Sequence, residues 1–223
     1  MRWLPACACA AALFAGPAWA AESLQASSDD GRWRVAAEGP SVSVYDGGVR
    51  VKTLAATARD GRQAASAVAA IHAAPARHSF VIAFETLAEL WELSIDPQAA
   101  PIFDGLVHDY RQGEAIAEPG YLGVRRTRLE QPLREMALDD SGAYVLGRGA
   151  ADAGGRRPLV LVQLDIRRAI GRFDVNGEPD LSAVQTVQLE GASLLRIPDR
   201  QGGPPMVVDL RRARLIDRGA SPR

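Results

Sequence analysis

Cysteine is nearly absent from this sequence, and its placement excludes several kinds of chemistry. Both cysteines, Cys7 and Cys9, lie within the first twenty residues. Residues 1–20 have a basic residue near the start, a short apolar run and an A-W-A ending, which is the pattern of a secretory signal peptide. We therefore expect an exported domain spanning residues 21–223, without any cysteine. Such a domain has no disulfide, no catalytic thiol and no zinc-thiolate site, and without C-x-x-C-H it has no covalent c-type haem.

Signatures of other common enzyme and binding classes are missing too. There is no G-x-S-x-G, no glycine-rich loop followed by Lys-Ser or Lys-Thr, and no H-E-x-x-H. These absences argue against a serine hydrolase, a P-loop nucleotide site and a zinc peptidase. The 26 basic and 27 acidic residues nearly cancel, so charge gives no reason to expect nucleic acid as a partner. After residue 20, no apolar run is long enough to predict a membrane span.

Lysine is scarce as well, since Lys52 is the only lysine among the 26 basic residues. Genomic base composition is a simpler explanation of this bias than functional selection. Arginine does, however, suit ligands that carry carboxylates or phosphates, because its planar guanidinium group binds them through paired hydrogen bonds.

The recurring feature of the chain is an apolar β pair associated with an aspartate turn. In SVSVYDGGVRVKTL, valines alternate with polar residues on both sides of Asp46, a strong hairpin signal. Similar units recur around Asp96, Asp165 and Asp209, at spacings of roughly 45 to 70 residues, which is typical of β-propeller blades. We read LAELWEL as part of a strand pair, although its residues favour a helix. The prediction is an all-β fold of about four WD40/YVTN-like propeller blades, with a sandwich or meander as the alternative.

The segment DGLVHDYRQGE interrupts this pattern within an insert from Asp104 to Arg134. It carries His108, one of three histidines, beside carboxylates that are suited to orienting an imidazole for metal ligation. Flat aromatic surfaces and carboxylate-binding guanidinium groups accompany it: Tyr110, Arg111, Tyr121, Arg125, Arg126 and Arg128. This composition matches the lining of a site for a planar, acid-bearing ligand such as a haem. A solvated loop whose histidine caps a turn is the alternative.

The central stretch also carries a family resemblance. ELWELSIDPQAAPIFDGLVHDYRQGEAIAEPGYLGVRRTRLEQPL belongs to a segment, Ser79 to Leu133, that resembles the d1-haem domain of the cytochrome cd1 nitrite reductase family nearly without gaps. The likeness is strongest to the branch of periplasmic proteins that help make or modify haem d1. LVLVQLDIRRAIGRFDVNGEPDL and the segment from Gly191 to Ile216 continue it more loosely, so that it covers most of residues 21–223.

This resemblance implies a fold, a cofactor and a site. The fold is a partial version of an eight-bladed propeller that holds non-covalent haem d1. His108 corresponds to the histidine of the family's V-H-D-Y pattern and is the implied iron ligand; a neutral imidazole suits that role. The implied cofactor-binding residues are His108, Tyr110, Arg111, Tyr121, Arg125 and Arg126. The implied location is the periplasm, in the context of denitrification and haem biosynthesis.

The sequence also departs from the family pattern. In the segment that matches G-x-P-H-L, the histidine is replaced by Asp180, which is a poor iron ligand but is able to transfer protons. A distal histidine pair is missing, and we interpret His72 and His78 as surface or turn residues, with His72 directly after a strand. We therefore expect no amino-terminal cytochrome c domain and about half of the blades of a complete d1 propeller.

Three functional hypotheses follow. In the first, the protein binds haem d1 or its precursor for biosynthesis, transfer or insertion into nitrite reductase, with that enzyme or another maturation protein as partner. In the second, it is a haem d1-forming dehydrogenase or a nitrite reductase-like oxidoreductase, although the sequence identifies no catalytic residue. In the third, it is a non-catalytic shortened propeller, either an interaction module or a remnant. Two copies pairing into a homodimer would complete an eight-bladed ring and cover both exposed sheet faces.

Overall fold

The protein consists of consecutive four-stranded β-meanders, which confirms the predicted all-β propeller fold. The computed structural model describes residues 24–58, 64–103, 117–151, 154–175 and 177–216. In these residues, sixteen strands form four antiparallel sheets, and each sheet uses four strands that are consecutive in the chain. Separate four-stranded sheets are blades, whereas a sandwich would have joined distant strands in shared sheets.

The four blades follow the order of the chain. Blade 1 contains β1 (Gln25–Ser27), β2 (Trp33–Glu38), β3 (Ser41–Asp46) and β4 (Val49–Ala55). Blade 2 contains β5 (Val68–Ala74), β6 (Ser79–Phe84), β7 (Glu89–Ser94) and β8 (Val124–Arg128). Blade 3 contains β9 (Leu133–Leu138), β10 (Tyr144–Gly149), β11 (Leu159–Gln163) and β12 (Arg168–Phe173). Blade 4 contains β13 (Gln185–Leu189), β14 (Ala192–Ile197), β15 (Met206–Asp209) and β16 (Arg214–Ile216).

Apolar side chains between adjacent blades form the core. Three buried clusters correspond to the three seams between successive blades. In β7, successive side chains point to opposite faces of the sheet, so Trp91 and Leu93 pack toward blade 1 while Leu90 packs toward blade 3. All residues of β6 and β7 are buried, because blade 2 is covered on both faces. LAELWEL therefore contributes a buried strand, as predicted, and its helix propensity is overridden by tertiary packing.

The four predicted aspartates occupy equivalent places in the four blades. Asp46 and Asp209 end the third strands of blades 1 and 4, while Asp96 and Asp165 follow the third strands of blades 2 and 3 by two residues. Because the strands are antiparallel, the first-to-second and third-to-fourth connections of every blade lie on one face of the molecule. We call this face the aspartate face.

Two sequence-based expectations about blade 2 were wrong. The predicted insert from Asp104 to Arg134 contains β8, which is the outermost strand of blade 2 and pairs with β7, so the insertion lies between these strands, at residues 95–123. His72 was expected after a strand but lies within β5, which continues to Ala74. Pro75 then begins a short 3-10 turn, where the missing amide hydrogen of proline costs nothing. Within the described residues, no helix is both long and apolar enough to span a membrane.

Trp91 is the largest fully buried side chain of the seam between blades 1 and 2. Its ring meets Phe84 edge-on at a centroid distance of 4.7 Å, and the Arg126 guanidinium carbon lies 4.3 Å from its centre. Trp91→Ala should therefore lower the free energy of unfolding by about 3 to 5 kcal/mol. Val51→Ala, on the exposed outer strand of blade 1, should change it by at most about 0.5 kcal/mol. Urea unfolding measures both, and equal effects would contradict the assigned seam.

Candidate functional site

The insertion in blade 2 rises from the aspartate face on two legs. The first leg is residues 95–103 and the second leg is residues 117–123; Ile102 and Glu118 join them through reciprocal backbone hydrogen bonds of 2.9 and 3.0 Å. The second leg is tied to the end of β7, since Leu122 N–H donates to Ser94 O and Ser94 N–H donates to Gly123 O. His108, Tyr110 and Arg111 belong to the segment between the legs, residues 104–116, which lies outside the described residues.

Two glycines allow the legs to pack closely. A Cβ atom at Gly120 would collide with the backbone carbonyls of Ala99 and Ala100, and one at Gly123 would collide with the carbonyl of Pro119. Backbone cannot yield as a flexible side-chain tip can, so no larger residue fits at either position without moving a leg. The base of the insertion is thus a compact backbone crossing.

Tyr121 lies on the second leg, where its side chain meets blade 1. Its ring packs edge-on against Trp33, with centroids 6.3 Å apart and an interplanar angle of 84°. Trp33 is buried in the seam between blades 1 and 2, whereas Tyr121 remains 39% exposed. The predicted ligand-binding tyrosine therefore anchors the insertion and also keeps a free aromatic surface.

Arg125 and Arg126 point to opposite faces of blade 2, because they are successive residues of β8. Arg126 donates to Thr57 O at 2.8 Å, pairs with Glu89 at 3.3 Å and stacks on Trp91. Arg125 points toward blade 3 and donates to Ala100 O of the first leg at 3.1 Å. The structure therefore brings Arg125 to the first leg and directs Arg126 into the seam with blade 1, so the two guanidinium groups do not face one common space.

A polar cleft of about 660 Å³ lies between blades 2 and 3, beside the first leg. We call it the blade 2–3 cleft. Its lining combines the exposed ring of Phe103 with three arginines and three acids: Arg77, Arg125, Arg167, Glu92, Asp96 and Asp165. The three positive and three negative side chains balance in charge, but they differ in how far each is buried. The Glu92 side chain is only 5% exposed, whereas that of Asp165 is 54% exposed.

Arg77 bridges the two blades across this cleft. It donates to Glu92 on β7 at 2.8 Å and to Asp165 on the aspartate turn of blade 3 at 2.7 Å. Burial alone would lower the pKa of Arg77, but its hydrogen bonds to both carboxylates outweigh burial and raise the pKa further above its ordinary value. Sequence reasoning missed Arg77, since nothing in P-A-R-H marks this arginine as a bridge.

A second cleft, of about 390 Å³, lies at the equivalent position between blades 1 and 2. The buried rings of Trp33 and Phe80 line it, together with His78 and Asp29. His78 ends the 3-10 turn in the left-handed conformation, with φ of 46°, and its N–H donates to Pro75 O. The interpretation of His78 as a turn residue is confirmed. No group of three or more potential metal ligands occurs among the residues that the structure describes.

The two remaining candidates occupy other places. His72 is half-buried on β5, which lies against the first strands of blades 1 and 3, so the expectation of a surface or turn position was wrong. Asp180 begins the 3-10 turn Leu181–Ala183 on the side opposite to the aspartate face. Its carboxylate accepts hydrogen bonds from Ser182 Oγ at 2.6 Å and Ser182 N at 3.1 Å, and these bonds hold its pKa below the ordinary value.

Comparison with known proteins agrees with this geometry. No protein-family model matches the chain. Dihydro-heme d1 dehydrogenase of Pseudomonas aeruginosa is 26% identical over 187 residues, which are 83% of this chain and 33% of that protein. The solved structure of dihydro-heme d1 dehydrogenase NirN in complex with DHE superposes with a TM-score of 0.63 at 23% identity, over 86% of this chain and 36% of that one.

The chain is therefore similar in sequence to a dihydro-heme d1 dehydrogenase and shares the propeller fold of the solved NirN structure. It spans about a third of the length of its curated relative. The β-propeller domain of Cps50 (Swd1) from Myceliophteria thermophila also matches, with a TM-score of 0.53 at 8% identity, over 84% of this chain and 53% of that one. That likeness shows the propeller fold alone. The insertion in blade 2 lies within Ser79–Leu133, the stretch that carries the strongest resemblance in the sequence.

Because His72 is half-buried, we predict that the free energy of unfolding depends on pH. Burial disfavours the charged imidazolium and lowers the pKa of His72 below its ordinary value. Above about pH 6.5, folded and unfolded chains both carry a neutral imidazole at this residue; below it, the unfolded chain takes up the proton first. The free energy of unfolding should therefore fall as the pH drops below about 6.5, until the folded-state pKa is reached.

His72→Gln should flatten this pH dependence, because glutamine takes up no proton in either state. Urea unfolding from pH 7.5 to pH 5 measures the slope, and His78→Gln on the turn is the matched control. An unchanged slope in His72→Gln would contradict the assigned burial effect.

Proposed function

We propose that the protein binds haem d1 or its precursor in the periplasm, for biosynthesis, transfer or insertion into nitrite reductase during denitrification. The observation that carries this proposal is that the V-H-D-Y segment lies on an insertion whose two legs are fixed to the aspartate face, beside the blade 2–3 cleft. The relationship to dihydro-heme d1 dehydrogenase supports the choice of tetrapyrrole. The signal-peptide pattern of residues 1–20 supports export.

The described residues fit an acid-bearing planar ligand. Phe103 and Tyr121 are 58% and 39% exposed on the two legs and offer flat apolar surfaces on either side of the undescribed segment. Arg125 lines the blade 2–3 cleft, where a guanidinium group is suited to bind a carboxylate. Of the two carboxylates that pair with Arg77, Asp165 is the more exposed. An acidic side chain of a ligand is therefore able to replace Asp165 as the partner of Arg77 at little cost in free energy.

Each residue has a defined part in this proposal. His108 would supply the imidazole to the iron, Tyr110 and Tyr121 would contact the macrocycle, and Arg111 and Arg125 would pair with its carboxylates. Arg126 supports the site from below, through Glu89 and the ring of Trp91. The bound group supplies a redox-active iron in a conjugated macrocycle, and the protein supplies orientation and charge compensation.

Binding is favoured over catalysis by the state of Asp180. Hydrogen bonds from Ser182 lower the pKa of its carboxyl group, so it stays ionised near neutral pH and is a weak proton donor. It also caps a turn on the side of the propeller opposite to the insertion. A carrier or maturation role requires only affinity and release, and it therefore suits this chain better than dehydrogenation or nitrite reduction.

Titration with haem d1 tests this proposal. The wild-type protein should shift the Soret band of haem d1 and saturate at a defined stoichiometry. His108→Ala should abolish the shift, because no other imidazole belongs to the insertion. Arg125→Gln should weaken binding by about tenfold, as expected for the loss of one charge-assisted hydrogen bond.

His78→Ala is the matched control, since His78 also lies on the aspartate face but belongs to the seam between blades 1 and 2. It should leave the titration unchanged. A wild-type protein that does not alter the spectrum of haem d1 would exclude the proposed function. Equal losses in His108→Ala and His78→Ala would exclude His108 as the ligand.

We also propose that the functional unit is a homodimer in which two copies complete an eight-bladed ring. The outer face of blade 4 carries a groove of about 590 Å³, lined by Leu189, Leu194 and Ile216 together with Arg212 and Arg214. A second copy placing blade 1 in this groove would continue the pattern of the three seams. The same arrangement repeated once closes the ring, as expected for a twofold assembly.

Light scattering of the purified protein tests this pairing. The expected mass is twice that of one chain, and Leu194→Glu should yield monomers because it places a charge in the groove. Ile166→Glu, on the exposed turn between β11 and β12 of blade 3, provides a surface-charge control that should keep the dimer. A wild-type monomer at all concentrations would contradict the proposed assembly.

A further inference from the structure

The only lysine of the chain links blade 1 to the insertion in blade 2. Lys52 lies on β4, opposite Val44 of β3, and points into the seam between blades 1 and 2. Its Nζ donates to Leu122 O, on the second leg, at 2.8 Å. This contact joins residues that are seventy positions apart in sequence and belong to different blades.

Leu122 is an unusual acceptor, because its backbone is in the left-handed conformation with φ of 54°. For a non-glycine residue this conformation costs of order 1 kcal/mol and persists only where the surroundings hold it. Here both sides of the residue are held: its N–H donates to Ser94 O at 2.9 Å, and its carbonyl accepts from Lys52. The reversed backbone then leads through Gly123 directly into β8.

The two legs are secured in the same manner from two different blades. Lys52, on blade 1, holds the Leu122 carbonyl of the second leg, while Arg125, on blade 2, holds the Ala100 carbonyl of the first leg at 3.1 Å. A charged donor strengthens such a bond, particularly where the groups are partly buried. Because the contacts come from different blades, together they fix the orientation of the two legs relative to blades 1 and 2.

We propose that Lys52 is a positioning residue that sets the orientation of the second leg relative to blade 1, without touching the ligand. An ammonium group suits this task because it is compact and its charge strengthens the hydrogen bond to the carbonyl. Tyr121 against Trp33 supports the same contact between blade 1 and the second leg. The consequence for ligand binding rests on the proposed function.

Hydrogen exchange tests the anchoring itself, independently of any ligand. Lys52→Met keeps the apolar stem and removes the donor, so the amides of Leu122 and Ser94 should exchange faster by about tenfold, the effect of losing about 1.4 kcal/mol of local stability. Amides of β10 and β11 in blade 3 should keep their rates. Arg50→Met is the matched control, because Arg50 lies two residues earlier on β4 and pairs with Glu38 outside the seam.

A chemical rescue experiment distinguishes the loss of the Lys52 ammonium group from a general destabilisation of the fold. Lys52→Cys should show the same faster exchange, and alkylation with 2-bromoethylamine, which restores an ammonium group at nearly the length of lysine, should reverse it. Wild-type protein treated in the same way should not change. Equal exchange at Leu122 in wild type and Lys52→Met, or no reversal after alkylation, would overturn the anchoring role.

Haem d1 titration of the same variants tests the consequence for the ligand. Lys52→Met should weaken binding by about tenfold, because the second leg, which carries Tyr121, loses its support from blade 1. Arg50→Met should bind as wild type does. Unchanged binding in Lys52→Met, despite faster exchange at Leu122, would overturn the role of Lys52 in ligand binding. A wild-type protein that binds no haem d1 would instead exclude the proposed function and leave the exchange result standing.

Discussion

The structure depends on the burial of apolar side chains between neighbouring blades. A four-stranded sheet that is apolar on both faces is not stable when exposed to water, so a blade of this kind needs a partner on either side. Blade 2 shows this most clearly, because every residue of β6 and β7 is buried between blades 1 and 3. Because the blades pack side by side, the connections between strands collect at the two ends of the blades. The insertion emerges from the aspartate face of blade 2, with its first leg beside blade 3 and its second leg against blade 1.

Polar groups at the ends of the seams fix the insertion in place. Arg77 ties blade 2 to the aspartate turn of blade 3, and Lys52 ties blade 1 to the second leg. Arg126 closes the outer part of the same seam over Trp91. These residues make a rigid base for the two legs of the insertion, so the legs lie on a support built from three blades. Placing reactive groups on such a rigid scaffold reduces the ordering that binding would otherwise require.

The fold was largely predictable from the sequence, and the site only in part. The apolar alternation around Asp46, Asp165 and Asp209 predicts the hairpins. Strand burial and tight turns both require particular residue types at nearby positions, so the local sequence shows them. The position of His72 was not predictable, since an alanine-rich run does not show where a strand ends until Pro75. Lys52 and Arg77 were missed for a different reason. Their partners lie 70 and 88 residues away, and local patterns carry no information about contacts at that distance.

The central claim is that the insertion provides the histidine that binds the iron of the tetrapyrrole. A crystal structure of the protein grown with haem d1 tests it most directly. The account predicts the iron bonded to the imidazole of His108, with the macrocycle lying against the two legs of the insertion and its acidic side chains directed toward Arg125. Haem d1 bound elsewhere on the propeller, with His108 unbonded to the iron, would contradict it.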